Sequence, residues 1–219
     1  MRAVDNDAVW CAIDEQRRRT ADLLESLSEQ QWRVPSLCPG WTVRDVAAHL
    51  TLQEQGVRDV LRLVVRHPGD LRGVNHLIRV SARRKAARPV EVLVAQIRAT
   101  VGSRRHNVGV TPLDTLTDVL VHSQDIALPL GRDLPLSLRA AATAADRVWS
   151  CLGTRKARVF GDLSVRGLEL TATDTPWSAG VGPQVRGPIT ALLLLLTGRP
   201  AALPLLGGAG VERLRLSPP

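Results

Sequence analysis

The stretch LCPGWTVRDVAAHL, residues 37–50, contains a tight turn followed directly by the start of an amphipathic helix. Pro39 and Gly40 favour the turn. Thr42 can cap a helix that begins at the next residue, and Asp45 stands at the third helical position, where its carboxylate completes a capping box. Apolar residues then recur with the spacing of one helix face, at Val43, Val46, Ala47 and Leu50. The pattern predicts a helix with one buried side that can extend to about residue 66, before the break at residues 67–69.

Helical patterns also dominate the rest of the first two thirds of the chain. The fifth predicted helix along the chain is introduced by Thr111 as a capping residue and Pro112 in the first turn, a combination typical of helix starts. The last begins after Pro135 and Ser137. Apart from the helix after residue 42, the spacing of apolar residues predicts helices over residues 7–32, 74–87, 89–101, 111–128 and 137–151.

The pattern changes after residue 152. Short alternating apolar runs separated by glycine, at residues 159–160, 163–165 and 168–172, are typical of strands. A segment rich in glycine and proline follows, over residues 173–188. Residues 189–197 predict a short buried helix that ends at Gly198, and the alternation over residues 211–216 predicts a last strand. We therefore expect an all-helical domain, residues 1–152, and a small α+β domain, residues 153–219.

Composition limits the class of protein. Hydrophobic residues make up 44% and charged residues 23% of the chain, the usage of folded domains. The N-terminus has no signal-peptide pattern, and the longest apolar run, residues 191–196, is too short for a bilayer, so we expect a cytoplasmic protein without a membrane partner. Cys11, Cys38 and Cys151 are odd in number and scattered, which argues against disulfides and a thiolate cage. A metal ion in this protein is therefore expected to be held by side-chain nitrogen and oxygen atoms and not by thiolates.

The formal charge of +8 and the pI near 11.0 raise the question of nucleic-acid binding. The basic residues are almost all arginine, as the codon bias of a GC-rich genome produces, and the basic runs at residues 17–19 and 83–85 fall in helical patterns. No aromatic residues alternate with these runs to stack on bases. A solvated basic face is the favoured interpretation, so no nucleic-acid partner is expected. The excess charge still favours a small anionic substrate.

Three residues are candidates for a metal site. Asp118 and His122 are separated by four positions and so share one face of a helix, on a polar stripe that includes Asp125. His49 lies at the edge of the apolar stripe of its helix, about 60 degrees from Val46 at 100 degrees per residue, where it can point into a bundle. Spacing alone leaves two interpretations open: a three-ligand metal site, or a core histidine beside a solvent-exposed acidic stripe.

The motifs of this chain resemble those of a known family. Residues 37–50 are similar to the CPGWTVRDVxAHL hallmark of the mycothiol-dependent maleylpyruvate isomerases, a branch of the DinB-like metalloenzymes. Residues 118–125, DVLVHSQD, resemble the family's E-x-x-x-H-x-x-D helix. Residues 186–200 are similar to the VRGP and LLLTGRP element of the family's second domain. The resemblance touches nearly the whole chain and is strongest around His49.

This resemblance implies a fold, a metal site and a reaction. The fold is mainly α: a DinB-like up-down four-helix bundle followed by a small, sterol-carrier-like α+β domain. The metal ligands are His49, Asp118 and His122, with aspartate where the family usually has glutamate, a shorter arm that can weaken binding. Two imidazoles and one carboxylate suit zinc and leave a coordination position open.

The implied reaction uses a thiol. A bound divalent cation lowers the pKa of a thiol placed at the open position, and the thiolate is the competent nucleophile. In the family the thiol is that of mycothiol, a cosubstrate that adds to the double bond of maleylpyruvate, allows rotation and leaves again, and some relatives keep the adduct as thiol S-transferases. The expected partners are therefore this low-molecular-weight thiol and a small anionic electrophile. The alternative is a non-catalytic metal-binding or ligand-binding protein on the same scaffold.

Further residues carry expectations of their own. His49 and Arg199 are the candidate catalytic residues, because family enzymes use an arginine of the second domain for a carboxylate-bearing substrate; the alternative for Arg199 is a helix-ending residue that binds carbonyls. Asp125 either orients a metal ligand or lies in solvent. Cys38 is expected to pack in its turn instead of acting as a nucleophile, because that turn supplies no base. Weaker candidates for substrate binding are Arg79 and Arg83.

Overall fold

The described part of the chain, residues 5–56, 74–154 and 165–216 of a computed structural model, is mainly helical with one small sheet. This confirms the predicted fold class. Contacts between residues divide the chain into two compact units, Met1–Pro135 and Leu136–Pro219. The first contains the helices that carry the candidate metal ligands. The second contains the sheet.

Helix α1, Asn6–Glu25, begins where the side chain of Asp5 accepts hydrogen bonds from the two backbone N–H groups of residues 7 and 8. It ends seven residues before the predicted end near residue 32, so the prediction was wrong for residues 26–32. The hydroxyl of Ser26 donates to the carbonyl of Leu23 at 2.7 Å and helps to end the helix. A separate 3-10 turn, Gln31–Arg33, follows.

Helix α2, Val43–Leu50, begins with the predicted capping box, in which Thr42 and Asp45 bond to each other's backbone N–H groups. The predicted extension beyond residue 50 is wrong for residues 51–56: the N–H and the hydroxyl of Thr51 both bond to the carbonyl of Ala48, which closes the helix with a tight last turn. The remainder of the predicted extension, with the break at residues 67–69, lies outside the described residues. The other helices of the first unit agree with the sequence: α3, Val74–Ala86, α4, Val90–Ala99, and α5, Pro112–Ala127.

Hydrogen bonds and ion pairs between residues of the helices and of their flanking turns show in which direction each helix of the first unit runs relative to its neighbours. Helix α5 runs parallel to α1 and antiparallel to α2, whereas α4 runs antiparallel to α1. The apolar stripe of α2 is buried in the core, with Val43, Val46 and Ala47 all fully buried. The contacts that fix these directions are Gln16 with Ser123, Ser26 with Arg132, Leu37 with Asp125, Gln53 with Asp118, Arg98 with Glu25, and Arg17 with Thr100.

The second unit is built around a three-stranded sheet and two packed helices. Strand β1, Glu169–Ala172, lies between β2, Ser178–Gly180, which is antiparallel to it, and β3, Gln184–Gly187, which is parallel. Helix α6, Leu138–Cys151, packs against α7, Ile189–Leu196, which is buried along almost its whole length. The predicted domain boundary at residue 152 therefore lies one helix after the boundary between the two compact units, which falls between Pro135 and Leu136.

The sequence did not predict three elements of the second unit correctly. β2 and β3 lie in the segment that was interpreted only as rich in glycine and proline. Residues 211–216 form a helix, α8, Val211–Leu216, and not the predicted strand. The reason is the spacing of the buried residues, since Val211 and Leu214 are one helical turn apart and both buried. The runs at residues 159–160 and 163–164 lie outside the described residues. No helix in the described ranges is both long and apolar enough to span a membrane.

Candidate metal centre

Antiparallel packing of α2 and α5 brings His49 to the side chains of Asp118 and His122. Nε2 of His49 lies 3.4 Å from Oδ1 of Asp118, and Nε2 of His122 lies 3.3 Å from the same oxygen. The three ligand atoms are all within 4.8 Å of one another. The two imidazole rings meet edge to face, with centroids 4.7 Å apart. Asp118 and His122, one helical turn apart, and His49, 69 positions before Asp118, therefore converge on one point.

The two separations from Asp118 fit the dimensions of a zinc site. Zinc binds imidazole nitrogen and carboxylate oxygen at about 2.0–2.2 Å in tetrahedral geometry. Two ligands at that distance and angle lie roughly 3.4 Å apart, which matches the 3.3 and 3.4 Å measured from Oδ1 of Asp118. The shorter arm of aspartate reaches the imidazoles without a glutamate's extra methylene. The donor set thus suits a divalent cation that keeps at least one further coordination position.

The carboxylate of Asp118 is held from both sides. Its Oδ2 accepts a hydrogen bond of 2.6 Å from the amide of Gln53, which leaves Oδ1 directed at the imidazoles. Burial acts to raise the pKa of Asp118, but the charges and hydrogen bonds of His49 and His122 outweigh it, and the pKa lies well below the usual value. Asp118 is therefore an anion ready to bind a cation. Gln53 was not identified from the sequence, although it stands four residues after His49 and so shares its face in the helix predicted there; in the structure it follows the end of α2.

The orientation of His122 is fixed by Asp125. Oδ2 of Asp125 accepts a hydrogen bond of 2.8 Å from Nδ1 of His122, which leaves the lone pair of Nε2 directed at the ligand cluster. Asp125 is completely buried. Of the two alternatives, the structure thus places this carboxylate behind a candidate ligand and not in solvent. Burial acts to lower the pKa of His122, but Asp118, then Asp125 and Cys38, raise it well above the usual value. A metal ion therefore competes with a proton for this side chain.

His49 retains access to solvent. Its side chain, like that of His122, is 14% exposed, and that of Asp118 is 34% exposed. Trp41 packs edge to face against the His49 ring, with centroids 5.6 Å apart, and limits its rotation. The cluster is thus packed against Trp41 on one side and is most exposed to solvent at Asp118.

Cys38 lies next to this cluster. The turn of Pro39 and Gly40 closes with a bond from the N–H of Trp41 to the carbonyl of Cys38, and the φ of +74° at Gly40 is the left-handed conformation that glycine adopts readily. Sγ of Cys38 lies 3.1 Å from Oδ2 of Asp125 and 3.7 Å from Nδ1 of His122. The turn itself supplies no base, but α5 places a carboxylate and an imidazole beside the thiol, which the sequence did not predict.

The candidate arginines have other partners. Arg199 lies in the second unit, where its guanidinium donates to the carbonyl of Thr197 directly after α7. That contact is the helix-ending role named as the alternative. Arg83 donates to the carbonyl of Gly40 at 3.0 Å and so supports the turn before α2. Arg79 is exposed on α3.

Comparisons with known proteins give one family. The sequence profile of the mycothiol maleylpyruvate isomerase N-terminal domain matches residues 13–127, slightly more than half of the chain. A crystal structure of the mycothiol-dependent maleylpyruvate isomerase is similar, with a TM-score of 0.56 and 10% sequence identity over 95% of each chain. A second crystal structure, of a mutant of such an enzyme in which one histidine is replaced by alanine, gives the same TM-score and coverage at 9% identity. At these identities the structures show a shared fold. No curated protein sequence matches significantly.

Proposed function

Because this chain belongs to the mycothiol maleylpyruvate isomerase family, we propose that it is a metal-dependent enzyme that uses mycothiol to isomerise or conjugate a small anionic electrophile. The observation that carries the proposal is the convergence of His49, Asp118 and His122 within 4.8 Å. In this proposal Nε2 of each histidine and Oδ1 of Asp118 bind one divalent cation, for which zinc is the expected metal.

The protein's own residues prepare this site. Gln53 holds Asp118 at Oδ2, and Asp125 holds His122 at Nδ1, so the ligand atoms face one another before any cation binds. This arrangement reduces the entropic cost of binding. A bound cation supplies positive charge that lowers the pKa of a thiol at its open position. In this proposal a small thiol approaches that position from the exposed side of the cluster, where the side chain of Asp118 is 34% exposed.

The chemistry then belongs to the thiol and its partner. The cosubstrate thiolate forms a carbon–sulfur bond with an alkene activated by a carbonyl group, and the double bond becomes a single bond that rotates. Elimination breaks the carbon–sulfur bond, restores the alkene and returns the thiolate. If a proton is captured before elimination, the sulfur adduct is the product and the reaction is a conjugation. The net charge of +8 favours an anionic electrophile in either case.

Two measurements test the proposal. Zinc content after purification and titration is expected to show about one ion per chain, and mycothiol with maleylpyruvate, followed by a panel of other small anionic electrophiles, is expected to show thiol-dependent turnover. A protein that binds zinc stoichiometrically but turns over none of them contradicts the enzymatic proposal and supports the alternative, a metal-binding protein on the same scaffold. Failure to bind zinc contradicts both the enzyme and the metal-binding alternative and leaves only a ligand-binding protein on the same scaffold.

Arg199 is carried forward as a proposed substrate-binding residue because a guanidinium binds a carboxylate through two hydrogen bonds. Replacing Arg199 by alanine is expected to raise KM roughly 10- to 100-fold, the equivalent of about 1.5–3 kcal/mol for hydrogen bonds to a charged group, with a smaller change in kcat. Arg199→Lys keeps the positive charge but cannot form the paired hydrogen bonds of a guanidinium. Its KM is expected to lie between those of the wild-type protein and Arg199→Ala. An unchanged KM together with a lower melting temperature contradicts this role and leaves the contact with Thr197 as the explanation.

A further inference from the structure

Cys38 is connected to the candidate metal centre through one oxygen atom. Its Sγ donates a hydrogen bond to Oδ2 of Asp125 at 3.1 Å, and the same oxygen accepts the hydrogen bond from Nδ1 of His122 at 2.8 Å. Nε2 at the other side of that imidazole is the proposed ligand atom. A chain of two hydrogen bonds therefore joins the thiol to the ligand.

The position of Cys38 is determined by its backbone. The N–H of Leu37 donates to the backbone carbonyl of Asp125 at 3.2 Å, so the turn is bonded directly to the end of α5. The N–H of Cys38 donates to the hydroxyl of Ser36 at 3.2 Å, and its carbonyl accepts from Trp41 at 3.0 Å. Bonds on both sides of the residue thus hold the thiol against the carboxylate.

The buried carboxylate of Asp125 needs donors. A carboxylate removed from water is costly unless hydrogen bonds replace its hydration. His122 and Cys38 both donate to its Oδ2. Without the thiol, Oδ2 of this carboxylate loses one of its two donors, and the orientation that Asp125 gives to the His122 imidazole is expected to be less well defined. Partners of metal ligands that act in this way contribute to metal affinity.

From this geometry we infer that Cys38 is a positioning residue of the metal centre, which acts through Asp125 on the ligand His122. The inference rests on the proposed function. Cys38 is not a ligand of the same ion, because its Sγ lies on the Nδ1 side of the His122 ring, 3.7 Å from that nitrogen, whereas His49 and Asp118 converge on Nε2. The two nitrogens of one imidazole point in different directions and do not serve one small ion.

A double-mutant cycle on zinc affinity tests the inference. Cys38→Ala is expected to weaken zinc binding by about 10-fold, the lower end of the effect of losing a partner of a metal ligand. Asp125→Asn is expected to weaken it more. If the thiol acts through the carboxylate, adding Cys38→Ala to Asp125→Asn changes the affinity by less than about twofold. Cys38→Ser keeps a donor and is expected to recover most of the loss. The matched control is Cys11→Ala, because Cys11 is exposed on α1.

Three results overturn the inference. The first is unchanged affinity in Cys38→Ala, and the second is an equal loss in both backgrounds, which indicates a packing role. The third is a thiolate-to-metal charge-transfer band in the cobalt-substituted wild-type protein that Cys38→Ser abolishes, because that band makes the sulfur a ligand. Failure of the wild-type protein to bind zinc at all contradicts the proposed function as well, whereas these three results contradict the inference alone. Melting curves of the metal-free variants identify any loss of folding.

Discussion

Replacing His49 by alanine is expected to abolish zinc binding at micromolar concentrations of the metal. The variant retains Asp118 and His122, but two ligands on one helix do not enclose the ion. Complete four-ligand zinc sites bind with about 10–16 kcal/mol, so one ligand contributes roughly 3 kcal/mol, or at least about 100-fold in affinity. Competition against a chelating dye of known affinity measures the change. Thiol-dependent turnover is expected to fall with the bound metal.

Two control variants make the result specific. His106→Ala removes an exposed histidine that stacks on Trp10 and is not one of the three candidate ligands, and it is expected to leave zinc affinity unchanged. Asp118→Glu restores the family's usual carboxylate and is expected to retain binding within about tenfold, since the ligand type is conserved. If His49→Ala binds zinc as tightly as the wild-type protein, the three-ligand site is wrong.

Replacing Arg17 by alanine is expected to reduce the free energy of unfolding by about 3–5 kcal/mol, the cost of breaking a buried charge pair on one side. Arg17 is 2% exposed, and its Nη1 donates to the carbonyl of Thr100 at 2.6 Å. Asp14 and Glu54 each lie 3.8 Å from its guanidinium. Burial acts to lower the pKa of Arg17, and both carboxylates counteract it. Removal of the cation leaves Glu54 without this partner and Thr100 without its donor.

Urea unfolding of the metal-free protein measures this loss, and the neighbouring arginine provides the control. Arg18 is exposed on α1, so Arg18→Ala is expected to change stability by less than about 0.5 kcal/mol. A similar small effect for Arg17→Ala shows that the buried cation contributes little net stability. Because neither arginine belongs to the candidate metal centre, zinc affinity at low temperature is expected to stay the same in both variants.

Much of the candidate centre could be anticipated from the sequence. The four-residue spacing of Asp118 and His122 places both on one helix face whatever the fold, and the resemblance in residues 37–50 added His49. What the sequence left open was the environment of Asp125 and Cys38. Whether a polar residue on a helix faces solvent or a neighbouring turn depends on what packs there, and periodicity does not contain that information.

The outcome of the helix predictions follows the same division. Starts with a capping residue were predicted well, because a cap depends on side chains within three positions of the helix start, as at Thr42 and Thr111. Ends were predicted less well, since α1 and α2 stop at ordinary polar residues, Ser26 and Thr51, whose hydroxyls bond to the preceding turn. In the second unit, α8 was mistaken for a strand because six residues are too few to separate the two periodicities.

The sequence by itself determined the helical class of this protein, the starts of its capped helices and two of the candidate ligands as neighbours, because these depend on contacts between residues close along the chain. Only the tertiary structure decided that His49 meets Asp118 across 69 positions and that Cys38 meets Asp125 across 87. Both contacts follow from the antiparallel packing of α2 against α5. That packing depends on the whole buried core, and no short segment of the sequence is sufficient to determine it.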